Sequence, residues 1–228
     1  MLDKFRSDYI TYFFGAFVVQ NNYCMVTEYS HHGSINALMK KRPHGKGITE
    51  KLRIKFCLDA AKGIEYLHDN GILHRDIKPD NFLVISFDTD VKINCKLTDF
   101  GSSRNINMLM TNLTFTKGIG TPKYMAPEIL NKDKYKKPAD IYSLSMTMLE
   151  IMIWDDAFPK SQFKFPWKIV EMISSGKRPA TLEYVTNEDM KKMIDSMWCQ
   201  SPKHRMLIND VVLFLKAILI KINYPIQN

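Results

Sequence analysis

Residues 74–84 read HRDIKPDNFLV, an acid (Asp76) followed by a lysine two residues on (Lys78) and an asparagine five residues on (Asn81). That spacing suits the transfer of a phosphoryl group to a hydroxyl. Such chemistry asks a protein mainly for positioning and charge compensation. An acid must orient the hydroxyl and take its proton, a cation must meet the moving phosphate, and oxygen ligands must hold Mg²⁺. Asp76 is the candidate base, Lys78 the phosphate contact and Asn81 one metal ligand. The second ligand candidate is Asp99, eighteen residues after Asn81 in KLTDFGSSR. A DFG tripeptide alone carries little information. Behind a predicted strand, and downstream of HRDxxxxN, it becomes specific.

The rest of the chain must supply a fold around that loop. Apolar side chains at Leu52, Phe56, Ala60, Ile64 and Leu67 recur at helical steps and predict a helix over 48–68, stopped by Asn70 and Gly71. Short apolar runs at 9–19 and 23–29 predict a two-stranded hairpin, its first strand buried. A single helical turn is expected after Gly33, and strands over 82–85 and 92–98. Beyond residue 100 the pattern is helical, over 138–153, 166–175, 187–198 and 207–222. The fold class is therefore α+β, with strands confined to the first part.

Composition bounds the function. The chain has 228 residues, 45% hydrophobic and 25% charged, with a net charge of +8. Its lysines and arginines are dispersed, and the basic clusters at 40–46, 132–137 and 191–192 hold a single tyrosine, Tyr135, and no run of interleaved aromatics for stacking on bases. Solvated faces are the expectation, and no nucleic-acid partner. Cys24, Cys57, Cys95 and Cys199 form no CxxC pair, which speaks against zinc and a disulfide framework and suits a reducing compartment. The basic, then apolar, start imitates a signal peptide, but Asp3 and Asp8 interrupt it. The apolar stretch 211–222 is short for a membrane span and holds Lys216 and Lys221. A cytoplasmic protein without a membrane segment is expected.

The ordered motifs resemble the C-terminal lobe of a eukaryotic protein kinase. GTPKYMAPE (120–128) is similar to the segment that positions the protein substrate, and DIYSLSMTMLE (140–150) to the central helix whose Asp140 ties down the catalytic loop. SMWCQSPKHRM (196–206) is similar to the late segment whose Arg205 pairs with Glu128; Met206 stands where a proline is usual. YCMVTEYSHHGS (23–34) resembles the fifth strand and hinge. The resemblance implies Thr27 as gatekeeper, Glu28 and Ser30 as backbone contacts of adenine, and Leu83 as the floor beneath it. It also implies a stacked apolar spine of Leu2, Phe13, His74 and Phe100.

ATP and Mg²⁺ are the implied cofactors, and a protein Ser or Thr the implied acceptor. Lys78 and Thr121 match the serine/threonine pattern while the hinge has a tyrosine-kinase flavour, a mixture that resembles the tyrosine-kinase-like group. Thr114 or Thr116 is an expected phosphorylation site for an upstream kinase, with Arg75 as the partner of the phosphate. The family's Gly-rich loop, strand lysine and helix glutamate have no counterpart in the sequence. Residues 1–29 then correspond to a remnant of the N-terminal lobe and 30–228 to the C-terminal lobe. Either the chain is a shortened version of an active kinase, or it is a pseudokinase scaffold that binds other proteins.

Overall fold

The computed structural model describes residues 6–20, 22–105 and 121–224. Two helices make the frame. α2 (Glu50–Asp69) begins at Thr49, whose side chain accepts from the Leu52 N–H, and ends at Asn70 with Gly71 at φ +69°. That is the N-cap and left-handed stop expected from the sequence. α4 (Lys137–Ile153) is buried on every side from Ala139 to Met152. A helix apolar all round belongs in a core, and its polar members are accordingly bonded. Ser143 Oγ donates to the Tyr124 carbonyl, Thr147 Oγ1 to Ser143 and Ser145 Oγ to Tyr142.

α7 (Ile208–Asn223) packs on α2, and α6 (Glu188–Met197) on both α4 and α7. α5 (Pro166–Ser174) leans on the short helix α3 (Pro127–Leu130) and on the 3-10 turn Pro122–Tyr124. The predicted helices are thus all present, each within a residue or two of the expected ends. The turn after Gly33 is longer than expected, a seven-residue helix α1 (Ile35–Lys41) capped by Ser34.

Among the described residues, three two-stranded antiparallel sheets complete the fold. β1 (Phe13–Val19) pairs with β2 (Asn22–Thr27) as the predicted hairpin. β3 (Ile72–Leu73) pairs with β6 (Arg104–Asn105), and β4 (Phe82–Val84) with β5 (Cys95–Leu97). The last pair lies against α2 at Gly63, where an added Cβ would stand 3.1 Å from the Tyr9 carbonyl and 3.2 Å from Leu97 Cβ. β5 is shorter than the expected 92–98, and just before it the Asn94 N–H donates to the Asp59 carboxylate at 2.6 Å. The fold is α+β, with a small open sheet region and a predominantly helical C-terminal part.

One expectation fails. β1 is a strand but it is not buried: Phe14 is 66% exposed and Phe17 51%, and across the pair Tyr23 is 91% exposed. The apolar run predicted the strand correctly, but the described residues place no layer against either face of it. The hairpin is held at its base instead. Thr11 N–H donates to Leu97, Leu97 N–H to Tyr9, and Lys96 reaches both Glu28 carboxylate oxygens at 2.8 and 2.7 Å.

Candidate active site

The loop between β3 and β4 is pinned from beneath by one carboxylate. Asp140, in the first turn of α4 and fully buried, accepts from His68 Nε2, His74 N–H and Arg75 N–H at 3.0 Å each and from Tyr135 OH at 2.8 Å. Burial pushes this carboxyl up, but the hydrogen bond and charge of His68 and the other donors outweigh it and hold Asp140 below the usual carboxylate value. Its grip fixes the Arg75 backbone at φ +72°, a left-handed geometry that a non-glycine residue adopts only when held.

That kink turns Asp76 outward. Lys78 Nζ donates to Asp76 Oδ2 at 2.7 Å, and Asn81 Nδ2 donates to the Asp76 carbonyl at 2.7 Å and to Oδ2 at 3.2 Å. The three residues of HRDIKPDN therefore form one cluster. The asparagine amide is oriented by this pattern, so its Oδ1 faces away and accepts from none of the described residues. The Pro79–Asn81 turn is held from α1 by Asn36, which donates to Asp80 at 2.6 Å.

Asp99 comes up beside it. The Thr98 N–H donates to the Asn81 carbonyl at 2.9 Å, bringing the start of DFG against the HRDIKPDN loop. Asp99 lies at φ +60°, is exposed, and accepts the Gly101 N–H at 3.2 Å. An exposed carboxylate and a free amide oxygen are hard donors of the kind Mg²⁺ takes alongside water and phosphate, so this pair fits that ion. His74 joins the two segments. Its Nε2 donates to the Thr98 carbonyl at 3.0 Å, its ring meets Phe100 edge-on at 5.6 Å, and burial lowers its pKa. Half of the expected spine is thus in contact. Phe13 is half-buried in β1, and Leu2 lies outside the described residues.

The hinge residues form a second group. Glu28 spends its carboxylate on Lys96 and on the Tyr12 N–H, and its own N–H donates to the Tyr12 carbonyl at 2.9 Å. Ser30 Oγ donates to the Val84 carbonyl, Val84 N–H donates to Gly33 at 2.8 Å, and Ser34 bridges to Leu83. These bonds bind hinge and β4 into one unit, with Leu83 half-buried beside it. Thr27 stands exposed at the end of β2, paired with Phe13.

At the far end, Arg205 clasps Glu128 with two bonds of 2.7 Å and also donates to the Cys199 and Pro138 carbonyls. The sequence reading left out a further network. Glu150, buried in α4, accepts from Lys123 Nζ at 2.7 Å and Tyr124 OH at 2.6 Å, and Lys123 also reaches Asp156 at 3.2 Å. Burial pushes the Glu150 carboxyl up, and Lys123 offsets only part of that. A charged residue inside the apolar run SLSMTMLEIMI was the signal for such a partner. Thr114 and Thr116 lie outside the described residues.

The family model of the protein kinase domain matches residues 1–213. The chain belongs to the protein kinase domain family. It is 31% identical over 230 residues to "Probable serine/threonine-protein kinase gdt2" of Dictyostelium discoideum, covering 100% of this chain and 13% of that protein. It is 29% identical over 222 residues to serine/threonine-protein kinase VIK of Arabidopsis thaliana, covering 96% of this chain and 49% of the relative. An RGS domain-containing serine/threonine-protein kinase A of Dictyostelium discoideum matches at 29% over 219 residues, covering 96% of this chain and 18% of the relative. The chain spans 13–15% of the length of three Dictyostelium kinases it matches. It is a serine/threonine-type kinase domain whose described N-terminal sheet is reduced to a hairpin, and none of its described helices is long and apolar enough to cross a membrane.

Proposed function

We propose that this domain transfers the γ-phosphoryl group of ATP to a Ser or Thr hydroxyl of a protein. The observation that carries this is the Asp76 carboxylate, held between Lys78 and Asn81 on a loop anchored by Asp140. Asp76 takes the acceptor proton as the hydroxyl oxygen bonds to phosphorus and the bond from phosphorus to the ADP oxygen breaks. Lys78, already against Asp76, balances the negative charge of the group in transit. Asn81 Oδ1 and Asp99 are the donors for Mg²⁺, which when bound neutralises phosphate charge. Backbone groups of Glu28 and Ser30 meet adenine, Leu83 lies beneath it and Thr27 stands behind. Lys78 and Thr121 with the TEYSHHGSI hinge support a place in the tyrosine-kinase-like group and a Ser/Thr acceptor. Arg75 Nε is buried without a partner, which supports a role in receiving a phosphate placed on Thr114 or Thr116 by an upstream kinase.

No Gly-rich loop or strand lysine precedes the hinge in this sequence, so residues 1–228 alone are expected to transfer weakly. The same observation, with the uncovered hairpin, favours a second reading in which the domain binds proteins without transfer. Labelled ATP with Ser- and Thr-containing peptides separates the two. A low rate that falls about 10²–10⁴-fold in Asp76→Asn supports transfer. A rate indifferent to Asp76, or no Mg·ATP thermal shift, supports the scaffold.

A further inference from the structure

The stretch KSQFKFPWK (160–168) enters α5 with a change of direction in its aromatics. Phe163 turns inward, half-buried, and meets the buried Phe158 edge-on at 5.1 Å. Phe165 and Trp167 turn outward, 45% and 61% exposed, with their rings stacked 4.2 Å apart and 11° from parallel. The pair is a rigid apolar shelf: each ring braces the other, and the chain on both sides is anchored, by Phe163 before it and by the fully buried Ile173 after it. Little conformational freedom remains to be lost when something covers it.

Three lysines flank the shelf in sequence. Lys160, Lys164 and Lys168 are exposed, and none has an ion pair or hydrogen bond through its side chain among the described residues. Glu171 is the one acid between residues 157 and 177. Trp154 and Trp198 are buried and each spends its indole N–H on an acceptor, while the Trp167 N–H has none.

We propose that Phe165 and Trp167, with Lys160, Lys164 and Lys168 around them, form a docking surface for an acidic segment of a partner protein that carries an apolar anchor. The anchor covers the stacked rings, its carboxylates meet the three lysines, and an acceptor on the segment meets the indole N–H. Aromatic anchors within a charged rim are the anatomy of protein interfaces. A peptide is favoured over an anionic bilayer because Glu171, one turn on from Trp167, would be pressed against a flat anionic surface, whereas an extended segment can pass beside it. The proposal goes beyond the transfer reading and does not depend on it.

Trp167 is the only exposed tryptophan of the three, so its fluorescence reports the site directly. The probe is a synthetic peptide of Glu and Asp around a central Leu-Phe pair, titrated into the intact chain without nucleotide. A blue shift and protection from acrylamide quenching are expected, fading as salt is raised. The Lys160/Lys164/Lys168→Glu variant keeps the reporter and removes the rim. It is expected to bind roughly tenfold more weakly or worse, the sum of three exposed ion pairs. All three positions are exposed, and an unchanged urea midpoint certifies the fold. The proposal is overturned by no response to the acidic peptide, or by an equal response to its lysine counterpart. It is also overturned by an unchanged affinity in the triple variant, or by a response to phosphatidylserine vesicles or an oligo(dT) strand at lower concentration than to the peptide.

Discussion

Replacing Asp140 by asparagine removes one oxygen and one charge from a site with four donors. Oδ2 accepts from His68 and the His74 N–H, and Oδ1 from the Arg75 N–H and Tyr135 OH. Asparagine can serve one of these pairs through its remaining oxygen, while its NH₂ confronts the other. If the amide faces His68, that ring can change tautomer and accept, so a single backbone donor, His74 N–H, is stranded. If it faces Arg75, that backbone donor is stranded, and the Tyr135 hydroxyl must turn its proton away to accept from the amide. Hydrogen bonds to charged groups contribute about 1.5–3 kcal/mol each, so the loss of one or two predicts about 2–5 kcal/mol. The left-handed Arg75 backbone, worth about 1–3 kcal/mol of strain, loses part of its restraint at the same time. The assay is urea unfolding of both proteins with hydrogen exchange at the His74 and Arg75 amides. Asp140→Asn should lower the unfolding free energy by that amount and release those two amides ahead of the α2 core. A change under about 1 kcal/mol with both amides still protected would refute the claim that this carboxylate holds the loop.

Glu128→Ala should cost about 3–5 kcal/mol in urea unfolding, because it leaves the fully buried Arg205 guanidinium charged without its counter-ion. Glu128→Gln, which keeps one acceptor, should cost less. Asp59 is buried, with one oxygen bonded to the Asn94 and Cys95 N–H groups and the other unpartnered, and burial pushes its pKa up to about 6. A carboxyl that binds its proton more tightly folded than unfolded costs stability above pH 6, and the cost disappears as pH falls from there towards 4. Asp59→Asn should therefore gain up to ~2–3 kcal/mol over the native chain at pH 7.5 and roughly half of that at pH 5, read as urea midpoints at each pH. Gly63→Ala sets a methyl against the Tyr9 carbonyl and Leu97, and should destabilise by about 1–3 kcal/mol, with a lower thermal midpoint.

Most of the geometry of the HRDIKPDN loop was legible because its contacts are local. Asp76, Lys78 and Asn81 lie within six residues, so their spacing in sequence nearly dictates their meeting in space. Helices with a single apolar face, such as α2, were equally plain. What escaped depends on contacts between distant segments. The bond from the Asn94 N–H to the Asp59 carboxylate does not show in local pattern, because the two are 35 residues apart. The Lys123–Glu150 pair was hidden for a similar reason, although a charge in an apolar helix announces that some partner exists. The exposure of β1 was missed because an apolar strand declares what it is able to bury, and not what is there to cover it.

That exposure bears on how the domain is divided energetically. Asp76, Lys78, Asn81 and Asp99 are held by Asp140 from α4, by His68 from α2 and by the Thr98 and Asn81 backbones. None of those supports lies in the β1–β2 hairpin. The hairpin in turn is fastened through Lys96, Leu97 and Tyr9 at its base, and its strands bury little. An isolated two-stranded hairpin is marginal in water, so it sits at the low-stability end of the molecule while the transfer loop sits on the core. The acceptor half of the proposed chemistry is thereby assembled independently of the nucleotide half. On the proposed reading of Glu28 and Ser30 as the adenine contacts, whatever covers the hairpin is expected to change ATP affinity first and to leave the geometry around Asp76 as it is.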